Sequence, residues 1–281
     1  PILCIKQGVK HRRCDDCRHG NAYQASPKFK MDGLKKDIPP LVEVDDIQIV
    51  RDLEKAYYKV PLAPAAQPYA AFKWGGMYFL SMVMLFGMCQ APFFFTKICR
   101  PIARLFGCVK LPAVSFIDDW WWSVKKHKME GAIGFIKIIF GLLGWSFNDK
   151  GQEGVATTFL GFIIDTVRRE FIVPTAKISV MTTLIRELQL SVTQKIRVRT
   201  GPLRSLVGKV ISVSLAIPGV STWCRSLYRL IQPKGIAQPK GQAKADWTWL
   251  DTAAQEELGV LITLLNFHNG SSFLDPLTNI E

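Results

Sequence analysis

The residues best suited to chemistry are two adjacent aspartates, Asp118 and Asp119, which lie in the otherwise apolar run of residues 113–122. Two carboxylates in apolar surroundings are unfavourable unless hydrogen bonds or a cation compensate their charge. One interpretation is a hairpin turn at the surface, where Asp is common, although neither Gly nor Asn accompanies the pair. The other is a divalent metal site, because Mg²⁺ takes oxygen ligands from one or two carboxylates and from substrate phosphates.

A third aspartate, Asp52, stands where it could complete such a site. It ends a stretch, residues 42–53, in which apolar and charged residues alternate as they do in a half-buried strand. The run around Asp118 predicts a β-hairpin over residues 114–124, with the aspartate pair between two apolar arms. A strand carrying Asp52 beside this hairpin would bring three carboxylates together.

Hydrophobic periodicity predicts an α+β arrangement of helices and strands around these residues. A helix is expected over residues 90–106, where Phe94, Ile98 and Ile102 recur at a spacing of four. Residues 232–245 are rich in Pro, Gly, Lys and Gln, which indicates a linker. Further helices are expected over 128–143, 175–190, 202–216 and 221–231, and a strand over 159–166 that pairs with the segment up to 173.

The charge of the chain points to a polyanionic partner. Its 36 Lys and Arg residues against 23 Asp and Glu residues give a net charge of +13. Residues 175–245 contain twelve basic residues and a single acidic one, whereas residues 246–281 contain six acidic residues and no Lys or Arg. Such a basic region favours nucleic acid or an anionic membrane surface as partner. An ordinary solvated surface is the alternative explanation.

We expect no membrane span and an intracellular protein. Residues 77–95 carry no charge over 19 positions, but Gly87, Gln90 and Pro92 interrupt them, which favours buried strands and helices. The seven cysteines are an odd number in a chain too long to need disulfides, so a reducing compartment is expected, either cytoplasmic or nuclear. The chain begins without an initiator Met or a signal-peptide pattern, as expected for a fragment.

Four potential zinc ligands lie near the N-terminus, namely His11, Cys14, Cys17 and His19. Four ligands within nine residues are too close for the paired spacing of ordinary zinc sites, and no second cysteine pair follows. We therefore expect no zinc.

Four motifs, taken in order, resemble the reverse transcriptases. Within that family the chain is most similar to the enzymes of DIRS-group (tyrosine-recombinase) retrotransposons, with gypsy-type elements next, and the resemblance covers residues 10–230 in round numbers. Residues 13–21 and 201–212 also resemble parts of the family's fingers and thumb. The motifs are Asp-Leu-Glu-Lys-Ala-Tyr-Tyr at 52–58, Leu-Phe-Gly-Met-Cys-Gln-Ala-Pro-Phe-Phe-Phe-Thr-Lys at 85–97, Phe-Ile-Asp-Asp at 116–119 and Phe-Leu-Gly-Phe at 159–162.

The resemblance implies an α+β right-hand polymerase that copies RNA into DNA. Fingers and palm would occupy residues 1–172 and a basic helical thumb residues 173–235, followed over 236–281 by a linker and an acidic tail that leads to an absent RNase H domain. The reaction adds dNTPs to a DNA primer 3′-OH on an RNA template and uses two Mg²⁺ ions, with Mn²⁺ as a possible substitute. Asp52 and Asp118 match the aspartates that usually bind the metal directly in such sites. Asp119 matches the aspartate that supports these ligands.

The resemblance also implies roles around the incoming nucleotide. Tyr57 matches the aromatic gate that excludes a 2′-OH, and Phe86 and Gly87 match the pair that packs on the nucleotide. Arg12 matches the arginine that grips the triphosphate, and Lys150 matches the lysine proposed to protonate the leaving pyrophosphate. Without the resemblance, Tyr57 would be an ordinary core residue, and Arg12 and Lys150 would be surface residues. Nucleic-acid contacts are expected from Arg18, Arg197, Arg199, Arg204 and Lys209.

The chain departs from the family pattern at several positions, which leaves a second function open. Phe116 stands where Tyr is usual, Leu85 replaces a Pro, Gly20 replaces a Leu, and residues 120–122 are three tryptophans. No catalytic carboxylate is lost, but an inactive relic that only binds nucleic acid would keep the same fold. A membrane-surface protein is the third hypothesis, since an anionic surface also attracts positive charge.

Overall fold

The computed structural model describes residues 2–7, 10–231 and 247–273, with side chains from residue 13 onwards. The chain divides into two compact units, residues 1–157 and 158–281. The first unit contains, in chain order, β1 (Ile2–Gln7), β2 (Lys10–Asp15), α1 (Arg18–Asn21), α2 (Leu34–Asp37), β3 (Ile47–Asp52), β4 (Ala71–Trp74), β5 (Met77–Leu80), α3 (Ala91–Cys108), β6 (Ala113–Phe116), β7 (Asp119–Val124), α4 (Met129–Leu142), β8 (Gln152–Gly154) and the beginning of β9 (Ala156–Phe159).

The second unit begins within β9 and is mainly helical. It continues with β10 (Phe162–Asp165), β11 (Glu170–Ile172), α5 (Thr175–Thr193), β12 (Val198–Arg199), α6 (Thr200–Ser212), α7 (Arg225–Ile231), β13 (Trp247–Thr248), α8 (Thr252–Phe267) and β14 (Ser271–Ser272).

A four-stranded antiparallel sheet in the order β6-β7-β3-β8 forms the centre of the first unit. Side chains alternate between the two faces of a strand. Trp120 and Trp122 of β7 therefore share one face, where their rings stack 5.5 Å apart. Trp121 points to the other face, where its indole N–H donates to Gln48 Oε1 at 2.8 Å. All three indoles are fully buried, so the tryptophan run is the core of the sheet.

Helices α3 and α4 cover one face of this sheet. Phe106 of α3 contacts both Trp120 and Trp122, and Phe140 of α4 meets Trp120 edge-on at 5.0 Å. Phe106 and Phe140 are fully buried, and burial of a Phe side chain contributes about 1.5–3 kcal/mol. This aromatic cluster holds β7 in place, and with it the turn that precedes β7.

Most predicted elements of the first unit are confirmed. Both helices bury one apolar side, but in α3 it is not the side that Phe94, Ile98 and Ile102 predicted. Phe94 is 49% exposed and Ile98 is 37% exposed, whereas Phe95 and Cys99 are buried together with Ile102. The helix expected over 90–106 is α3, the helix expected over 128–143 is α4, and the hairpin expected over 114–124 is formed by β6 and β7.

Two predicted strands were too long. The strand expected over 42–53 starts only at β3, because Asp45 adopts a left-handed φ of 62°, which interrupts an extended chain. The strand expected over 159–166 is broken by a turn at Leu160 and Gly161, whose φ values are 46° and 80°, and it forms β9 and β10 instead. Apolar residues occur on both sides of each turn, so the hydrophobic pattern did not reveal the breaks.

The long apolar stretch of residues 77–95 forms β5, a loop and the beginning of α3. Among the residues that the structure describes, no helix is both long and apolar enough to cross a membrane.

The second unit combines its helices with a sheet in the order β14-β11-β10-β9 and a two-stranded ribbon of β12 and β13. The segment up to residue 173 pairs with the preceding strand, as predicted, in the form of β11. The linker predicted at 232–245 lies outside the described residues. The helices expected over 175–190, 202–216 and 221–231 are α5, α6 and, after a 3₁₀ turn at Val220–Cys224, α7.

The segment predicted to be an acidic tail contains the helix α8. Leu258 and Leu261 of this helix are fully buried, which anchors it in the second unit. Glu257 is also buried, and its carboxylate accepts hydrogen bonds from the backbone N–H groups of Ser226 and Leu227 at the start of α7. A helix start leaves such N–H groups without an intrahelical partner. Part of the negative charge of the tail is therefore structural.

Candidate active site

The three candidate carboxylates meet at one end of the central sheet. Asp52, the last residue of β3, pairs in register with Asp119, the first residue of β7. Asp118 lies in the turn between β6 and β7, and its carbonyl accepts a hydrogen bond from the Leu53 N–H at 2.8 Å. The antiparallel register thus sets Asp52 beside the aspartate pair, although they are far apart in the sequence.

The turn that carries Asp118 has an unusual backbone. Ile117 adopts a φ of +56°, a left-handed conformation that is rare for a β-branched residue. Phe116 pairs with Asp119, so residues 117 and 118 form a two-residue connection without the Gly or Asn that usually occupies it. Such a conformation costs about 1–3 kcal/mol and is found most often at functional sites. The backbone favours a functional turn over an ordinary surface turn.

Negative charge is concentrated at this end of the sheet. Burial, together with the charges of Asp118 and Asp52, raises the pKa of Asp119 to about 6. Burial and the charge of Asp118 also raise the pKa of Tyr57 to about 12, so Tyr57 is neutral at physiological pH. Because like charges contribute to both shifts, a cation bound at this place would be stabilised.

The carboxylates suit the predicted Mg²⁺ by type and by charge. Carboxylate oxygens are the ligands that Mg²⁺ prefers, and a bound cation would relieve the repulsion between Asp52, Asp118 and Asp119. Within the described ranges, no three His, Cys, Asp or Glu side chains are preassembled as a metal cluster. The site therefore offers fitting donors whose side chains would have to converge on the ion.

Asn148, which sequence reasoning missed, connects Asp52 to the loop after α4. Its side-chain amide donates to the Asp52 carboxylate, and its backbone N–H donates to the Asp52 carbonyl at 2.9 Å. Its Oδ1 accepts a hydrogen bond from the Lys150 N–H at 3.0 Å, while the Lys150 side chain is exposed. Asn148 thus orients Asp52 and ties the backbone of Lys150 to it. The only sequence signal was a polar Asn-Asp-Lys stretch, which is typical of a turn.

A fourth carboxylate, Asp32, was also missed. Burial, followed by the charge of Asp37, raises the pKa of Asp32, and the backbone of Ser115 in the edge strand β6 opposes this shift. Burial, followed by the charges of Asp32 and Asp118, raises the pKa of the Cys99 thiol to about 12. Asp32 therefore adds negative charge near Cys99 and the Asp118 turn.

An aromatic wall stands beside the carboxylates. Tyr57 lies on the 3₁₀ turn Ala56–Lys59 and is buried. Its ring packs against Phe86 and Phe95, with centroids 4.6 Å and 5.4 Å apart. Phe86 remains 40% exposed, so part of the wall is open to a ligand. These contacts agree with both interpretations of Tyr57, as a core residue and as a gate.

Position 87 requires a glycine because the backbone at Asp15 comes close to it. Its φ is +105°, and a Cβ there would lie 2.8 Å from the Asp15 carbonyl oxygen, so only glycine fits. Asn21 holds the same loop, because its amide donates to the Gly87 carbonyl at 2.8 Å and its Oδ1 accepts from the Cys89 N–H at 2.9 Å. The fold therefore needs a glycine at position 87 independently of any contact between Gly87 and a nucleotide.

Two arginines expected near a triphosphate and nucleic acid, Arg12 and Arg18, are on the first unit's elements β2 and α1. Arg12 is on β2, and its side chain is outside the described part of the structure. Arg18 forms an ion pair with Asp16 at 2.7 Å, which holds the pKa of Asp16 well below its usual range. Arg13, which was not predicted, lies 4.3 Å over the Phe72 ring.

The other four basic residues expected to contact nucleic acid lie on one continuous segment of the second unit. Arg197 and Arg199 are exposed at β12. Arg204 and Lys209 are on α6, where the Lys209 ammonium donates to Ser205 Oγ at 2.8 Å. The segment therefore presents several cations from a strand and the helix that follows it.

Comparison with known proteins identifies the fold. No family model and no curated protein matches the chain. Three solved structures of the foamy viral protease-reverse transcriptase are similar, with TM-scores of 0.69, 0.72 and 0.70 at sequence identities of 17%, 15% and 17%. They are complexes with double-stranded DNA, with an RNA/DNA hybrid and with double-stranded DNA, respectively.

These similarities cover 97%, 97% and 99% of this chain, but only 44%, 34% and 54% of the foamy viral chains. The α+β fold with antiparallel sheets and helices is therefore that of the reverse transcriptases, which confirms the predicted fold class.

Proposed function

We propose that the chain is the polymerase part of a reverse transcriptase, which adds dNTPs to a primer 3′-OH on an RNA template. The observation that carries the proposal is the register that sets Asp52 opposite Asp119, beside the turn with Asp118. The reverse transcriptase fold supports it, because foamy viral enzymes of this fold are seen with double-stranded DNA and with an RNA/DNA hybrid. The order of the motifs supports a retrotransposon of the DIRS group, or next the gypsy type, as the source.

The catalytic role falls to the carboxylates. Asp52, Asp118 and Asp119 would hold two Mg²⁺ ions, or Mn²⁺ in their place. When bound, such ions supply Lewis-acid stabilisation of the attacking and leaving oxygens. Asn148 keeps the Asp52 carboxylate in one orientation.

The nucleotide would lie against the aromatic wall. In this proposal the Tyr57 ring excludes a 2′-OH, and the exposed part of Phe86 packs on the nucleotide above Gly87. Arg12 grips the triphosphate through charge-assisted hydrogen bonds. Lys150 gives a proton to the leaving pyrophosphate.

The template and primer would be held by the basic residues. We assign residues 1–172 to fingers and palm, 173–235 to the thumb, and 236–281 to a linker and acidic segment. Phosphate contacts are proposed for Arg18, Arg197, Arg199, Arg204 and Lys209.

Primer extension tests this function. With an RNA template, a DNA primer, dNTPs and Mg²⁺, the unchanged protein should lengthen the primer. Asp118→Asn should slow synthesis about a hundredfold or more, because several kcal/mol of charge stabilisation are lost. Asp45→Asn is the matched control, because Asp45 is exposed in a left-handed turn that Asn adopts equally well. Equal rates for Asp118→Asn and the unchanged protein would contradict the assignment.

A nucleic-acid-binding relic without activity is the second candidate. The observation in its favour is that the sequence departs from the family pattern, with Phe116 in place of Tyr and Leu85 in place of Pro. This alternative predicts salt-sensitive binding of an RNA–DNA hybrid and no incorporation of nucleotides. The same primer-extension assay therefore separates the two candidates.

A further inference from the structure

Two arginines and two tryptophans lie on one face of the ribbon of β12 and β13 and of the residues that flank it, with Arg197 just before β12 and Trp249 just after β13. The strands pair so that Arg199 lies opposite Trp247. Because side chains alternate along a strand, Arg197 and Arg199 point away from the buried Val198, and Trp247 and Trp249 lie on the same side. We call Arg197, Arg199, Trp247 and Trp249 the Arg–Trp face.

Each arginine of this face lies over one tryptophan ring. The Arg199 guanidinium carbon is 5.0 Å from the Trp247 ring centroid, and that of Arg197 is 5.6 Å from the Trp249 centroid. These distances are in the range of cation–π interactions, which orient both groups. Yet 49% of Trp247 and 53% of Trp249 remain exposed. Two neighbouring indoles, oriented and half exposed, form a surface for planar ligands.

The chain segment that carries the arginines of the Arg–Trp face is basic. Residues 193–204 contain four basic residues and no acidic one. Of the three acidic residues in 251–257, Asp251 pairs with Arg229 at 2.5 Å and caps α8, Glu257 caps the start of α7, and Glu256 is exposed. The face therefore suits a ligand that combines negative charge with flat rings.

We propose that the Arg–Trp face binds an unpaired stretch of nucleic acid, whose bases stack on the tryptophans and whose phosphates contact the arginines. The inference rests on the proposed function, in which the chain holds a template and a primer, and it specifies the form of the strand bound here. Stacking on a protein side chain needs the face of a base, which a single strand offers and the interior of a duplex conceals.

Binding of labelled oligonucleotides without Mg²⁺ or dNTPs tests the proposal independently of catalysis. The probes are an unstructured single strand and the RNA–DNA hybrid of the same sequence, followed by fluorescence anisotropy. Trp247→Leu/Trp249→Leu should weaken single-strand binding about tenfold or more, because each stacked base contributes substantially to affinity. Hybrid binding, which depends on phosphate contacts, should change less than about twofold.

Matched variants isolate the Arg–Trp face. Trp223→Leu removes a 44% exposed tryptophan of the same unit that is not part of the ribbon, and it should leave the selectivity unchanged. Arg197→Gln/Arg199→Gln should weaken single-strand binding and reduce its salt dependence. Arg168→Gln, on the exposed turn between β10 and β11, should do neither. Circular-dichroism melting checks that each variant is folded.

Two results would overturn the proposal. One is a tryptophan double variant that binds the single strand as tightly as the unchanged protein. The other is an equal loss for the single strand and the hybrid, which would make the face a duplex contact. The unchanged protein could extend no primer while the tryptophan double variant loses single-strand binding selectively. That pair of results would disprove the polymerase function and still support binding by the Arg–Trp face.

Discussion

At the scale of single residues, the candidate site depends on how a few side chains are held. The left-handed conformation of Ile117 places Asp118 in the turn between β6 and β7. The register of β3 and β7 pairs Asp119 with Asp52. A carboxylate can rotate about its side-chain bonds, so a hydrogen bond to one oxygen determines where the other points. Asn148 provides that hydrogen bond for Asp52. Outer partners of metal ligands act in this way in many metalloenzymes.

Asn148→Ala should therefore impair metal use more than nucleotide binding. We expect the rate of primer extension at limiting Mg²⁺ to fall about 10- to 100-fold, because Asp52 loses its orienting partner. The dNTP KM should change little. Rates measured over a range of Mg²⁺ concentrations check the first statement, and rates measured over a range of dNTP concentrations check the second. Ser146→Ala, which changes a hydroxyl of the same loop that bonds to Glu54 at 3.4 Å, is the control. Equal Mg²⁺ dependence in Asn148→Ala and the control would refute the role.

Tyr57 allows a test that separates a gate from a core residue. If the ring excludes a 2′-OH, Tyr57→Ala should raise NTP incorporation relative to dNTP about tenfold or more, whereas Tyr57→Phe should preserve the discrimination. The measurement is the ratio of kcat/KM for the two nucleotides, which cancels any general loss of folded protein. Tyr69→Ala removes an 83% exposed ring of the same unit and serves as the control. An unchanged ratio in Tyr57→Ala would leave Tyr57 a core residue.

At the scale of secondary-structure elements, polar contacts inside the core determine which strands adjoin. Gln48 of β3 is fully buried. Its Oε1 accepts from the Trp121 indole at 2.8 Å and from the Thr157 hydroxyl at 3.0 Å, and its amide donates to the Val155 carbonyl at 2.9 Å. One side chain thus links β3, β7 and the segment around β9. Since β3 and β7 carry Asp52 and Asp119, the same contacts stabilise the register of the site.

Gln48→Leu should destabilise the first unit strongly. Leu has a similar side-chain volume to Gln but cannot accept the hydrogen bonds from Trp121 and Thr157. Each buried polar group that is left unsatisfied costs about 1–3 kcal/mol. We expect a loss of at least about 2 kcal/mol in the free energy of unfolding, measured by urea denaturation. Gln67→Ala, which removes one half-buried hydrogen bond to the Leu62 carbonyl, should lose less than about 1.5 kcal/mol. Equal losses in the two variants would contradict this account.

At the scale of the whole molecule, the positive charge and the carboxylates occupy different parts of the chain. Residues 41–174, which contain the three candidate aspartates, have 15 basic and 12 acidic residues, whereas residues 175–245 have twelve and one. The segment with the candidate catalytic groups is thus close to neutral. Long-range attraction of a polyanion would come mainly from the basic segment, and it would weaken as salt is added.

Binding of an RNA–DNA hybrid should therefore depend on salt through identifiable residues. Arg204→Gln and Lys209→Gln should each reduce the slope of log K against log salt concentration by about one, if each contacts a phosphate. Arg229→Gln should reduce it less, because Asp251 already pairs with Arg229 at 2.5 Å. Filter binding or anisotropy at several salt concentrations gives the slopes. Identical slopes in all three variants and the unchanged protein would exclude these residues from the interface.

Local sequence patterns were sufficient for most elements, and the resemblance to the reverse transcriptases supplied the fold class. The helices α3 and α4 follow from apolar residues at helical spacing, and the β6–β7 hairpin follows from two apolar arms around Asp118 and Asp119. Such patterns work because burial of one helix or strand face is decided by residues that are close in sequence. The order of four motifs then indicated the reverse transcriptase fold, which the solved structures confirm.

Only the tertiary structure decided which side chains meet. The register of Asp52 with Asp119, the hydrogen bonds of Asn148 and Gln48, and the stacking of Arg199 on Trp247 all join residues that are distant in the sequence. The left-handed Ile117 likewise depends on the strands that it connects. The physical reason is that hydrophobic periodicity records whether a residue is buried, whereas hydrogen bonds, stacking and pKa shifts depend on distances that exist only after the strands and helices have packed together.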